Sequence, residues 1–474
     1  MTIEIAPKAT APKKGEALKN RTKKRELLLA TALTGVFAVS ACTAGSPSQE
    51  ANGTEDLRGQ TIKVLVSSGH QQFNDVWLNE LPKFEAETGI KVELDKVNTT
   101  DVSSTLLRDV SVGGCTIDNV EMLDGGTAAA APRMADLNAF LEAEGSSAAE
   151  LLERQVGFAQ TAYTFDDKLA FYPFYTGAKG VAYRQSWFED TANQAAFEAK
   201  YGYELPNPPT TQDQVVDVAE FFTTPTTSGI VFSGAGDPGE STIDDLIFRQ
   251  GVHGFQDENN HALWGPAHED NIKKVTEAAT YLTDFISKGH TPPSIQAMQT
   301  ADTTANFLAG NTAMVYDHVY LKWDEMKAAE ANLGEIGSFE FPSAEEGSGG
   351  IAFYWGRGIP ECSQHKAASW EFMKWIMSPE IQKNALTKGE GIYVPTDKEL
   401  LAWAVEQDIV PQGVADSVAN AESYKVTPVT AQLRQSIGIP AYEKLIGNQL
   451  SPNEYATTLG EQMQVAADTA GLTK

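Results

Sequence analysis

Three cysteines, seven histidines and sixty-four carboxylates are the groups in this 474-residue chain that could do chemistry, and their spacing builds no familiar reaction centre. Adjacent acids such as Asp166-Asp167 and Asp244-Asp245 could supply a general acid and base. So many carboxylates make neighbouring pairs inevitable, however, and no glycosidase follows from them. His253, His261 and His268 fit no zinc spacing and read as solvent-exposed. Gly234, Gly236 and Gly239 satisfy G-x-G-x-x-G behind a strand-like segment, yet Asp237-Pro238 suits a turn better than a phosphate cradle. No G-x-S-x-G occurs, and no cysteine pairs credibly with a histidine. The chain reads as a binder rather than an enzyme, with no metal or cofactor.

Cys42 carries the most informative chemistry. A basic segment with Lys19, Arg21, Lys23, Lys24 and Arg25 precedes fifteen uncharged residues, 27–41, which end in Val39-Ser40-Ala41 before Cys42. A charged start, a short apolar run and small residues at a cut site make a secretory signal, too short to span a membrane as a helix. The Val-Ser-Ala-Cys ending is similar to a bacterial lipobox, in which the cysteine is lipidated and becomes the mature N-terminus. The expectation is a lipid-anchored protein on the extracellular face of the membrane. Cys115 and Cys362 remain, in an oxidising compartment where a pair can bridge; two unrelated buried thiols are the alternative.

The chain carries a formal charge of −28, and the basic start contributes +5 of the opposite sign, leaving −33 after residue 41. Such acidity argues against nucleic acid and against docking on an anionic bilayer surface. The 433 residues after the signal suffice for two lobes.

The elements that must position any site follow the α/β pattern. Residues 42–57 are rich in Ser, Gly, Thr and acids and read as a flexible tether. Strand-like residues 60–68 precede a helix marked by Val76, Trp77, Leu81 and Phe84, which Gly89 ends; residues 90–97 make the next strand. This βαβ unit implies a parallel sheet. A helix near 101–112 and strands at 118–123, 179–184 and 229–234 continue the rhythm. Residues 367–382 form an amphipathic helix whose default role is core packing.

The order of motifs resembles the extracellular solute-binding proteins of bacterial ABC importers, in the family that includes the maltose-binding protein. The resemblance rests on residues 84–93 (FEAETGIKVE), 172–188, the Pro-Pro-x-Thr start after Leu205, residues 307–320, residues 367–382 and the closing helix after Leu450. It implies an α/β, two-lobed periplasmic-binding-protein-like fold with an interlobe hinge and a ligand cleft. Lobe one would hold 58–172 and 335–382, and lobe two 173–334 and 383–474. Cys115 and Cys362 would then share a lobe, which favours the bridge. The implied role is that of a monomer that captures a carbohydrate and delivers it to permease subunits. The chain lacks G-x-x-x-x-G-K-[ST], so the importer's ATPase would be a separate protein. A polyamine, a phosphorylated solute or a ferric complex would be the alternative ligand, and a secreted carbohydrate-active enzyme a more distant reading.

A sugar site needs aromatic platforms for C–H faces and polar groups for hydroxyls. Open α/β sheets hold ligands beyond the carboxyl ends of their strands. That rule selects Ser68, His70 and Gln71 after the first strand, and Asp124 after residues 118–123. The resemblance adds Tyr175, Tyr320 and Trp355 at the family's inter-lobe, post-Ala-Met and lobe-return positions. Arg357 could meet an acidic ligand or form a structural ion pair, and Trp264 is either a platform or a loop anchor.

Overall fold

Ile62 and the run Val64-Leu65-Val66 are buried apolar residues, the signature of a strand covered on both faces. In the computed structural model it becomes the interior of a six-stranded sheet. The structure describes residues 57–68, 71–111, 113–388, 393–422 and 424–473, with only the backbone at 71–76. The expected signal, Cys42 and the tether up to residue 56 lie outside the described residues, as does His70.

The described strands are β1 (Thr61–Ser67), β2 (Lys91–Val97), β3 (Asn119–Leu123), β4 (Thr164–Phe165), β5 (Lys168–Leu169), β6 (Tyr172–Ala178), β7 (Gly180–Tyr183), β8 (Ser228–Phe232), β9 (Thr312–Asp317), β10 (Gly337–Phe339), β11 (Ala352–Gly358) and β12 (Val394–Pro395). One sheet runs β12-β6-β11-β3-β1-β2 and another β10-β7-β9-β8; β4 and β5 form a separate hairpin. Strands β1, β2 and β3 are parallel, as the βαβ pattern predicts. The sheet is nonetheless mixed, because β11 returns antiparallel between β3 and β6. Antiparallel return needs no crossover helix, so the local pattern gave no sign of it.

Sheet membership places the crossings later than the sequence boundaries. Strands β6 and β12 fall in the expected second lobe but pair in the larger sheet, while β10 falls in the expected first lobe but pairs in the smaller one. The chain therefore passes from one sheet to the other at Lys179 and returns between Phe339 and Ala352; after Pro395 only helices follow among the described residues. Both crossings between the sheets are flanked by strand, and nothing in the strand pattern says which sheet a strand joins.

Packing on the larger sheet is aromatic. Trp77 and Phe84 of the helix Gln71–Thr88 meet Phe372 and Trp375 of the helix Lys366–Ile376, at centroid distances of 5.1 to 6.5 Å. The amphipathic face at 367–376 is thus core, as its pattern predicts, but the expected single helix ends at Ile376 and a second one runs Pro379–Lys388, since Pro379 cannot continue the first. A disulfide joins Cys115, just before β3, to Cys362, just after β11, across 247 residues. Closing so long a loop removes about 5 kcal/mol of unfolded-chain entropy in the loop-closure account. The Cys115→Ser/Cys362→Ser variant is expected to lose about 2–5 kcal/mol in a urea titration; an unchanged midpoint would contradict this.

Candidate ligand-binding cleft

Strand register sets the site. Leu123 of β3, Trp355 of β11 and Tyr175 of β6 lie side by side across three strands, and β11 slips register directly after Trp355. The rings of Tyr175 and Trp355 stack at 4.8 Å and 15°. Tyr175 is fixed from behind, its hydroxyl donating to Glu121 Oε1 at 2.7 Å. Burial and that neighbouring carboxylate push the Tyr175 hydroxyl well above its usual pKa.

These rings face a cavity of about 440 Å³ between the two sheets. Its first wall comes from Thr99 and Thr100 after β2, Asp124 after β3, and Tyr175, Phe353 and Trp355. Its second wall has Asp237, Thr300, His318 and Tyr320, and the C-terminal region adds Arg434 and Gln435. A hollow of about 460 Å³ lies elsewhere, beside Trp370, Lys374 and Asp397, away from the carboxyl ends of the parallel strands. The interlobe cavity is the candidate site because it alone of the two satisfies the strand-end rule.

The second wall is built on one buried ion pair. Lys179, at the first crossing, donates to Asp317 Oδ1 at 2.9 Å, and both side chains are 1% exposed. Asp317 also accepts from Ser233 Oγ at 2.5 Å, Thr303 Oγ1 at 2.9 Å, Thr300 Oγ1 at 3.1 Å and the His318 backbone N–H at 2.8 Å. Burial works against its charge, but the Lys179 ammonium and these donors hold its carboxyl well below the usual range. Burial, reinforced by Lys179, lowers the pKa of His318.

Arg434 starts a π-helical turn, Arg434–Gly438, a break that recurs at functional sites. Its guanidinium lies 4.4 Å from the Phe353 ring. It donates to Glu240 Oε2 at 2.6 Å and Asp237 Oδ1 at 3.2 Å, and its Nε lies 3.6 Å from Asp244 Oδ2. Burial, helped by Asp237, pushes the Glu240 carboxyl up, and burial together with the Glu240 charge pushes that of Asp244 well above the usual range. Asp124 accepts from Tyr424 Oη at 2.7 Å, from the Tyr354 N–H at 3.4 Å and from the Gly125 N–H. Burial raises its pKa, against the pull of Arg434 and Tyr424.

Of the sequence candidates, Asp124, Tyr175, Tyr320 and Trp355 come together on this cavity. Ser68 follows β1, whose Ser67 hydroxyl shares a 2.5 Å hydrogen bond with Thr99; of Gln71 only the backbone is described. Two candidates lie elsewhere. Arg357 is fully buried, paired with Glu121 at 3.3 Å and Asn119 at 2.9 Å under the Phe174 ring, so it cannot reach a cleft ligand. Trp264 is buried against Phe255, and Gly460 of the closing helix leaves room for its backbone; it is a loop anchor.

Other sequence readings shift too. His261 and His268 are half-buried around Asp257, at 3.5 and 2.9 Å, rather than free in solvent. The glycine-rich segment starts the helix Gly236–Arg249 instead of a turn and brings Asp237 to the cavity. Asp244 and Asp245 serve ion networks with Arg434 and Arg249. Thr99-Thr100 were within reach of the strand-end rule, and period two from Trp355 gives Phe353. Arg434 had no local signal.

A family model described as bacterial extracellular solute-binding protein matches residues 67–383. The chain belongs to that family. Among solved structures, the binding protein is similar to an ABC transporter solute-binding protein of Thermotoga lettingae bound with α-D-tagatose (18% identity, 86% of this chain and 99% of that one, TM-score 0.63). It is similar also to one of Agrobacterium vitis with bound D-mannitol (17%, 87% and 99%, 0.65) and to maltose-bound MalE3 of T. maritima (16%, 86% and 99%, 0.63). The two-lobed α/β fold expected from sequence is the fold these share with the binding protein. Among its described residues no helix is long and apolar enough to cross a membrane.

Two predictions follow from the wall geometry. A Cβ at Gly177 would collide with the Tyr320 hydroxyl. Gly177→Ala is expected to cost about 1–3 kcal/mol, and that cost should vanish in a Tyr320→Ala background; simple additivity of the two in melting experiments would refute the contact. Asp317, with a depressed pKa, contributes stability that is whole above about pH 4 and is lost as pH falls below it. Glu240 and Asp244, with raised pKa values, act oppositely: their contribution is whole below about pH 4 and is lost as pH rises. Melting temperature against pH should therefore lose acid-side slope in Asp317→Asn and neutral-side slope in Asp244→Asn.

Proposed function

We propose that this binding protein is a lipid-anchored extracellular receptor that captures a carbohydrate, probed best as an oligosaccharide, and hands it to the permease of an ABC importer. The observation that carries the reading is the stacked Tyr175–Trp355 pair on a cavity between two sheets, ringed by Thr99, Thr100, Asp124, Asp237 and Gln435. An aromatic face for C–H groups beside polar rims for hydroxyls is the chemistry a sugar needs. Sugar or polyol ligands in the solved relatives support the same class. Closure would rotate the halves about the crossings at Lys179 and at 340–351, making contacts to ligand that only the closed state offers. Cys42 supplies the anchor in this reading, and capture followed by release requires no turnover.

The test is a thermal-shift screen of the full chain in detergent against saccharides, polyamines, phosphorylated solutes and metal ions. A saccharide at a hundredfold excess over its Kd should add about 2.7 kcal/mol of stability. Trp355→Ala should abolish that gain. Stabilisation by a polyamine, phosphorylated solute or ferric complex alone would replace the sugar, and cleavage of a bound glycan would make the protein an enzyme.

A further inference from the structure

Residues 340–351 carry the chain back from β10 to β11, and Ser343, Gly347, Ser348, Gly349 and Gly350 give that stretch little stiffness of its own. Both of its ends are nevertheless tied to one ion pair on the helix Gly236–Arg249. Arg249 Nη1 donates to Glu340 Oε1 at 3.1 Å, to the Phe341 carbonyl and to Ser343 Oγ at 3.4 Å. The Arg249 carbonyl accepts from the Ala344 and Glu345 N–H groups at 3.0 and 3.2 Å. Asp245, one turn earlier, takes Arg249 Nε on Oδ2 at 2.7 Å and the Ile351 N–H on Oδ1 at 3.0 Å. Both side chains are buried.

A second segment rides on the same clamp. The Glu422 N–H donates to the Gly350 carbonyl at 3.0 Å, and Asn420 Nδ2 to Glu340 Oε2 at 2.7 Å. At its other end the helix reaches the cleft, where Asp237 lines the cavity and, with Glu240, holds Arg434. Its fourteen residues span about 20 Å, so one rod carries cavity wall at its start and the crossing at its finish. One donor of the clamp is spare. Arg249 Nη2 is buried with no partner among the described residues, and a Cβ at Gly350 would collide with it and with Asp245 Oδ1. A buried donor left unpaired is costly in this arrangement of the crossing.

We infer that Asp245 and Arg249 are positioning residues for capture: they clamp the return crossing and set the balance between two arrangements of the cleft walls without touching ligand. In the second arrangement the backbone at 347–350 turns, and one of its carbonyls takes up the spare Nη2. This rests on the closure in the receptor reading above and adds the residues that govern it. A buried pair is a weak source of net stability. Fixed to both ends of a pliant stretch, it confines the turning to the few residues between.

Single-molecule energy transfer in the full chain in detergent tests this, with labelled ketone-bearing residues in place of the exposed Glu93 of β2 and Lys273 of the helix Glu269–Ser287. The probes are D-tagatose, D-mannitol, maltose, spermidine and glucose 6-phosphate. Asp245→Asn/Arg249→Gln removes both charges, so that neither is stranded. It is expected to change the minor population of the free protein at least about threefold, and the Kd of any probe that shifts the wild-type distances by the same factor. A merely structural role would lower the melting temperature and leave both unmoved. Should the double variant fail to fold, Glu340→Ala, which loses only the half-buried end of the clamp, should move both readouts in the same direction. Unchanged distances in a folded variant would overturn the inference and leave the receptor reading standing. A single wild-type distance that none of the five probes moves would overturn both.

Discussion

Everything on the second wall of the cleft hangs from the buried pair between Lys179 and Asp317. Lys179 is the single residue between β6 and β7, so it marks the point where the chain leaves one sheet for the other. Asp317 ends β9 opposite Gly180 and gathers donors from the end of β8, from the helix Thr300–Leu308 and from its own successor. Two charges so deep are a doubtful source of net stability, because desolvation offsets much of their attraction. What they fix is position: removing either partner strands a charge, so Thr300 and His318 keep their places on the cavity and the first crossing keeps its register.

The first wall obeys a different constraint, that of lateral register. Leu123, Trp355 and Tyr175 are abreast only because β11 runs antiparallel between β3 and β6. The buried pair Glu121–Arg357 secures the same layer from the far side, with Tyr175 hydrogen-bonded to the shared carboxylate. A side chain that sequence pattern offers as a ligand contact is thus a support for the residues that do line the cavity.

Much of the fold was legible in the sequence. Apolar runs ending in polar turns gave β1, β2, β3 and the intervening helices within a residue or two. The aromatic helix face at Trp370 to Ile376 was core. The strand-end rule located Asp124, and family resemblance located Tyr175, Tyr320 and Trp355. What escaped was long-range: which sheet each crossing strand joins, and the arrival of Arg434 beside Phe353 from 81 positions away. Neither leaves a periodic trace, because a crossing strand alternates like any other and a lone arginine in a short helix has no pattern. Arg357 takes the second of the two roles its sequence context left open, the structural ion pair, here with Glu121 at 3.3 Å.

The disulfide encloses more than the two loops it touches. The whole four-stranded sheet, from Gly180 to Phe339, lies inside the ring that Cys115 and Cys362 close. The four-stranded sheet is therefore threaded as an excursion from a covalent circle rooted in the six-stranded one. A protease that severs any single peptide bond between residues 116 and 361 opens the circle without releasing a fragment. The cut halves stay joined through sulfur, and a receptor exposed outside the cell can be nicked once in a surface loop and still keep both walls of its cleft on one molecule.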